Sequence, residues 1–227
     1  MAIRAVLFDL DNTLIDFWKF KNKCMGAALD AMIKAGLKIE RKKAGQIVLG
    51  IFREFGMEYK YIFQEFMKRA IGKIDYRILA HGMIAYRNAR ISCLTEYPQV
   101  RETITKLKKK GYKIAIVSDA PRQKAWMRIV LMGIDNFMDA VITFEDTGKR
   151  KPNNLPFKKA VEKLKVKPQE ILMVGDSISK DMKGAKSLGM KTALAVYGRT
   201  LKPTKCPEGV DFLLHKISEL IEIVGKN

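Results

Sequence analysis

Four short stretches of this 227-residue chain carry side chains suited to chemistry. The first is Asp9-Leu10-Asp11-Asn12-Thr13, directly after the apolar run Ala5-Val6-Leu7-Phe8. The second is Ser118-Asp119, after Ile114-Ala115-Ile116-Val117. The third is Lys151, just before Pro152, and the fourth is Gly175-Asp176-Ser177 with Asp181 shortly beyond. Drawn together, Asp9, Asp11 and Asp176 would set three carboxylates side by side. Like charges that close repel and take protons back. A hard divalent cation removes the conflict, and Mg²⁺ uses one or two carboxylates together with waters and phosphate oxygens. Lys151 and Ser118 add a positive charge and a hydroxyl donor, and with the metal that set suits a phosphoryl group. One carboxylate can then attack phosphorus to give an aspartyl-phosphate. A second, two residues on, can protonate the leaving oxygen and later deprotonate water.

Such a constellation needs a scaffold that brings distant loops to one edge. Residues 3–8 read as a short buried strand, apolar and bounded by acids. Residues 17–90 differ: Ile47, Ile51, Phe52 and Phe55 recur at helical spacing, with turn signals near Gly36, Gly56 and Gly72. That block reads as about four helices. From Pro98 onward helices and strands alternate. Helices are expected at 99–110, from Pro121 with the proline in the first turn, and at 155–164, 178–188 and 217–224. Strands are expected at 112–117, 138–143, 171–174, 192–196 and 212–214. Alternation of this kind predicts an α/β fold with a doubly wound, Rossmann-like parallel sheet. The expected division is a core of residues 1–16 and 91–227, and an inserted all-helical cap of residues 17–90. In open sheets of this class ligands bind beyond the carboxyl ends of the strands, where the four stretches would converge.

Composition narrows the function classes. Apolar residues make up 48% of the chain, too many and too regular for disorder. Uncharged apolar runs fall far short of a membrane span. Cys24, Cys93 and Cys206 are few, odd in number and scattered, which argues against a disulfide framework or zinc site and for a reducing compartment, with the cytoplasm as the expectation. His81 and His215 stand alone, without a partner motif. The formal charge is +19, from 43 Lys plus Arg against 24 Asp plus Glu. Nucleic acid is one partner that charge suits, but no binding motif accompanies it. Residues 17–90 hold 16 basic and 6 acidic side chains, about twice the excess per residue of the remainder. A positive surface of this kind attracts small phosphate esters.

In order and spacing, the motifs resemble those of the haloacid dehalogenase-like hydrolases, in the branch with a helical cap inserted after the first strand. Val6–Leu14 resembles the family's first motif, Gly111–Asp119 the second and Lys151-Pro152 the third. Val174–Met190, VGDSISKDMKGAKSLGM, resembles the fourth, and the likeness spans essentially the whole chain. The resemblance implies that Asp9 is the nucleophile and Asp11 the general acid and base. Ser118, with Asp119 and Lys151, would form the phosphate site. Mg²⁺ would sit on the Asp9 side chain, the Asp11 backbone carbonyl and Asp176, with Thr13 and Asp181 acting from behind these groups. Asp119 stands where relatives often carry Asn, and Gln99 where they often carry Gly. The dehalogenases that name the family lack a carboxylate at the Asp11 position, because a departing halide needs no proton. Asp11 therefore favours hydrolysis of phosphate monoesters of small metabolites, such as phosphoglycolate, triose phosphates or sugar phosphates. A phosphomutase, a phosphonate hydrolase and a basic nucleic-acid-binding protein are the alternatives. No nucleic-acid or membrane partner is expected, and the chain would act as a monomer or homodimer.

Overall fold

The structure, a computed structural model, describes residues 2–199, 203 and 205–225. The chain forms two compact units, Met1–Asp16 with Thr95–Asn227, and Phe17–Leu94. The second unit is helical: α1 (Phe17–Lys34), α2 (Arg41–Phe55), α3 (Ile62–Ile71) and α4 (Tyr76–Ser92). Its core is built from Met25, Leu29, Met32, Ile51, Phe66 and Met67, with Phe52 and Leu79 at its margin. The expected boundary at residue 90 falls short of the observed one. Helix α4 runs to Ser92 and is closed by Cys93, whose N–H donates to the Ala89 carbonyl at 2.8 Å. The sheet unit resumes at Thr95, where its carbonyl accepts from Asp16 N–H at 3.1 Å. Cys24, Cys93 and Cys206 are free thiols. Among the described residues no helix is long and apolar enough to cross a membrane.

The sheet unit carries β1 (Ala5–Phe8), α5 (Val100–Lys109), β2 (Lys113–Val117), α6 (Arg122–Leu131), β3 (Ala140–Ile142), α7 (Phe144–Thr147) and α8 (Asn154–Leu164). These are followed by β4 (Ile171–Gly175), α9 (Lys183–Lys186), β5 (Lys191–Ala195), β6 (Phe212–Leu214) and α10 (Leu220–Gly225). Among the described residues six strands, all parallel, stand in the order β3-β2-β1-β4-β5-β6. Every residue of β1 and β4 is buried, which is why these segments read as unbroken apolar runs rather than alternating ones. Phe8 pairs with Ile116 on one side and with Val174 on the other. The chain winds outward from β1 in one direction through β2 and β3, and in the other through β4 to β6. The reversal lies at β1 and β4, and a doubly wound sheet opens its binding crevice beyond the strand ends at that point.

Several local expectations are corrected. Pro121 lies outside α6 as its extended N-cap, φ −56° and ψ 139°, rather than in the first turn. The strand expected at 138–143 shrinks to Ala140–Ile142, because a 3₁₀ turn at Asp135–Phe137 occupies the approach. A short helix, α7, follows it unannounced, fixed by reciprocal bonds between Thr143 and Asp146. Helix α5 begins at Val100, because Gln99 is left-handed with φ 67°. That conformation costs an L-residue about 1–2 kcal/mol and glycine very little, a physical reason for glycine at this position. The continuous helix expected at 178–188 opens instead as a π-helical turn, Ile178–Met182, where Met182 N–H reaches the Ser177 carbonyl at 3.2 Å. Such widened turns concentrate at functional sites, and this one carries Asp181.

Candidate active site

Four loops at the carboxyl edge of the sheet supply the polar side chains. Asp9 still belongs to the sheet through its N–H, which donates to the Val174 carbonyl at 2.8 Å. The chain then turns sharply. Asn12 takes φ 61°, a conformation Asn tolerates better than most residues, and its N–H reaches back from the turn to the Ile15 carbonyl at 2.8 Å. The turn sets Asp9 and Thr13 on one side, with Thr13 Oγ1 3.4 Å from Asp9 Oδ2.

Lys151 arrives from the loop before α8, through a cis peptide to Pro152, and is buried. Its ammonium lies 2.6 Å from Asp9 Oδ1, 2.6 Å from Asp181 Oδ1 and 3.0 Å from the Val117 carbonyl. It donates hydrogen bonds to Asp9 and the Val117 carbonyl and meets Asp181 as an ion pair, company that makes a buried ammonium tolerable. Burial alone would push the Lys151 ammonium toward neutrality; Asp181, Asp9 and Asp119 outweigh it, and the net shift is strongly upward. Lys151 stays charged.

Asp181 is buried, and the π turn aims it back under β4, where its Oδ2 accepts from Ser177 N–H at 3.0 Å. Gly175 makes room for it: a Cβ there would stand 2.4 Å from Asp181 Oδ2. Asp176 completes the group. Carboxylate oxygens of Asp9, Asp176 and Asp181 all lie within 4.8 Å of one another. Burial, then Asp9, then Asp181 push the Asp176 carboxyl up to about 8. Burial pushes Asp181 up as well, against the pull of Lys151. A site that strains three hard oxygen donors in this way fits a divalent cation, whose charge would reverse both shifts.

The third carboxylate of the group is therefore Asp181 and not Asp11. The Asp11 carboxylate is turned away and accepts two contacts from Arg128 Nη1, at 2.9 Å to Oδ1 and 2.7 Å to Oδ2. Its backbone carbonyl, the atom expected to hold metal, belongs to the same turn. Ser118 follows β2, buried, with its Oγ accepting from Ala120 N–H at 3.2 Å. Asp119 Oδ1 accepts from the backbone N–H of Lys151 at 2.9 Å. In this structure Asp119 holds the lysine loop in place, and its other oxygen lies 3.6 Å from Lys180.

Two groups escaped the sequence reading. Arg128 had a readable signal: with Ala125 and Ile129 it occupies the buried stripe of α6, where a charge is out of place. The turn Val196–Gly198 after β5, with Arg199, touches three site residues in succession. Tyr197 Oη donates to the Thr13 carbonyl at 2.9 Å, and Arg199 donates to the Asp176 carbonyl. Between them Gly198 is pressed on the first loop so closely that a Cβ would stand 1.6 Å from the Asn12 carbonyl oxygen. No side chain fits there without displacing the loop that carries Asp9 and Asp11.

Comparison with known proteins gives this geometry its context. The profile of the haloacid dehalogenase-like hydrolases matches residues 6–195, most of the chain. The chain belongs to that family. A glyceraldehyde 3-phosphate phosphatase of Methanocaldococcus jannaschii is 35% identical over 222 residues, 98% of this chain and 97% of the relative. A pyrophosphatase PpaX of Bacillus cereus is 42% identical over 231 aligned positions, 99% of this chain and 98% of the relative. The crystal structure of a HAD phosphatase from Thermococcus onnurineus superposes with a TM-score of 0.68 at 27% identity, over 98% of each chain. Within the family this chain is a phosphatase, a hydrolase of phosphate esters. The match to the haloacid dehalogenase-like family includes every residue from Asp9 to Asp181 and stops before Gly198.

Proposed function

We propose that this phosphatase hydrolyses monoesters of small metabolites with Mg²⁺ bound at Asp9, Asp176 and the Asp11 carbonyl, and that triose phosphates of the glyceraldehyde 3-phosphate kind are its leading substrates. The observation that carries the reading is the Lys151 ammonium held between Asp9 and Asp181, with Asp176 in the same carboxylate group. The substrate class follows from the archaeal relatives named glyceraldehyde 3-phosphate phosphatase. Bound Mg²⁺ would supply positive charge to neutralise the three carboxylates and the incoming phosphoryl oxygens.

The chain's own residues do the rest. Lys151 occupies Asp9 Oδ1 and leaves Oδ2 for bond formation. Oδ2 attacks phosphorus, the bond from phosphorus to the ester oxygen breaks, and Asp11 gives its proton to that oxygen. Asp11, now a carboxylate, takes a proton from water; the water oxygen attacks phosphorus and the bond to Asp9 breaks, releasing phosphate. Ser118 and Lys151 hold phosphoryl oxygens through both steps, and Asp119 keeps the Lys151 backbone where that is possible. The basic excess of residues 17–90 draws the doubly charged ester in. Free thiols at Cys24, Cys93 and Cys206 suit the cytoplasm.

Phosphate release from a panel of triose, sugar and glycolate phosphates and pyrophosphate is the test. Glyceraldehyde 3-phosphate in Mg²⁺ is expected to turn over with the highest kcat/KM, and EDTA to abolish it. Equal turnover in EDTA overturns the metal assignment, and a clear preference for pyrophosphate overturns the substrate class.

The raised Asp176 carboxyl makes a second prediction. Its folded value, about 8, lies above the ordinary carboxyl value of 3.8, so between these limits the folded protein holds more protons than the unfolded one. Stability from this group is therefore lost as pH rises through that window. In EDTA, Asp176→Asn is expected to gain melting temperature on wild type as pH rises from about 5 to about 8. The increase that Mg²⁺ gives wild type is expected to grow over the same range, because protons and cation compete for the group. Parallel melting curves for the two proteins at every pH would refute it.

A further inference from the structure

The geometry points to Arg128 as a positioning residue for the Asp11 carboxylate, one that holds it outside the metal-binding group and ready for the ester oxygen. The inference rests on the reading of Asp9 as nucleophile and Asp11 as acid and base.

Arg128 is an expensive residue for its place. It sits on the inward stripe of α6 beside Ala125 and Ile129, with its side chain only 3% exposed. Packing alone would be served by an apolar residue of similar length, since a buried ion pair seldom stabilises more than its hydrophobic replacement. What an arginine adds is a fixed, planar donor that cannot lose its charge. Its Nη1 covers both oxygens of Asp11, at 2.9 and 2.7 Å. The Asp11 side chain itself keeps 23% of its exposure, so one side of the carboxylate remains open beyond the arginine.

The alternative position for Asp11 shows what the pair achieves. Asp11 lies two residues from Asp9 on a tight turn, and a carboxylate has only two rotatable bonds to sample. Asp9, Asp176 and Asp181 already crowd within 4.8 Å of one another, and the arginine holds the Asp11 carboxylate outside that group. A metal-bound carboxylate is a poor proton carrier, so inside the group the acid would be lost to the cation. Arg128 comes from the helix after β2, a different element from the turn it clamps, and so fixes Asp11 independently of the residues that hold Asp9. The proton route still balances as before: Asp11 gives one proton to the ester oxygen and regains one from water.

The test compares esters with good and poor leaving groups. An aryl phosphate leaves with little help, whereas glycerol phosphate needs the proton. Arg128→Met, similar in volume and apolar, is expected to lose about 10²-fold more kcat on glycerol phosphate than on 4-nitrophenyl phosphate. Added to Asp11→Asn, it is expected to cost nothing further on either ester, because the two residues act as one unit. Arg128→Lys, which keeps a cation but not the planar donor, is expected to fall between, and it carries the test if the Met variant does not fold. Equal losses on both esters, or losses that add to those of Asp11→Asn, would show a merely structural arginine and overturn the inference. Asp9→Asn separates the two levels. If Asp9→Asn is inactive and Asp11→Asn discriminates between the esters while Arg128→Met does not, the inference alone fails. If Asp9→Asn retains activity, the underlying reading fails with it.

Discussion

Replacing Asp9 with Asn is expected to lower phosphate release by at least about 10³-fold while leaving the protein folded. The amide is nearly the same size as the carboxylate, and its oxygen can still accept from Lys151 at the position Oδ1 now occupies. Lys151 also retains Asp181 and the Val117 carbonyl, so its charge is not stranded. What the amide lacks is a nucleophilic oxygen. No neighbour can substitute: Asp181 is buried under β4 and already held by Lys151 and the Ser177 N–H, while Asp11 is clamped by Arg128. The comparison is made by phosphate release with saturating Mg²⁺, alongside a thermal melt. A folded variant with activity within about tenfold of wild type would remove Asp9 from the nucleophile's role.

Replacing Lys151 with Met is expected to damage stability and turnover together. The ammonium is wholly enclosed and neutralises Asp9 and Asp181 at 2.6 Å each. Breaking a buried pair by removing one partner costs about 3–5 kcal/mol, because the remaining charge is left without compensation. Here two carboxylates are left, beside a third in Asp176. Asp181, already raised by burial, can recover only by taking a proton, which lifts its folded value further above the unfolded one. The stability deficit of Lys151→Met is therefore expected to widen as pH rises from about 5 to about 8, the sign required when the folded state binds the extra protons. Melting curves across that range read it directly. Lys151→Arg is no remedy, since a planar guanidinium cannot place one charged nitrogen beside Asp9, Asp181 and the Val117 carbonyl at once. A deficit that is constant with pH, or absent, would mean that Lys151 does not carry the carboxylate group.

Much of this arrangement is legible in the sequence. Strand ends are short apolar runs that stop at Asp9, Ser118 and Asp176, and the alternation after residue 98 fixes their common edge. Asp181 was placed in the right neighbourhood but its part was understated, because only the π turn brings it level with Asp9. Asp11 was assigned to the carboxylate group by its nearness in sequence to Asp9, yet the direction of a side chain on a tight turn depends on what reaches it. Arg128 reaches it from more than a hundred residues away. Asp119 holds the backbone of Lys151, a contact that its place after β2 does not announce. Tyr197 and Arg199 reach backbone carbonyls of the site through their side chains and Gly198 acts by closeness of backbone; none of the three belongs to a motif, so residue type alone does not single them out.

The position of β1 in the sheet also constrains how the protein is made. This strand leaves the ribosome before the other strands described, yet its neighbours are β2, starting at Lys113, and β4, starting at Ile171. During synthesis Ala5–Phe8, wholly apolar, must therefore wait for β2 until about half of these residues have been made, and for β4 until about three-quarters have. Pairings this distant in sequence close slowly and leave strand edges exposed in the meantime. The intervening helices α1 to α4 make contacts within Phe17–Leu94 and need nothing from the later chain for their own core. Nascent chains stalled before residue 113 should accordingly carry folded helices together with an unpaired β1, and they are the species on which chaperones would have to act.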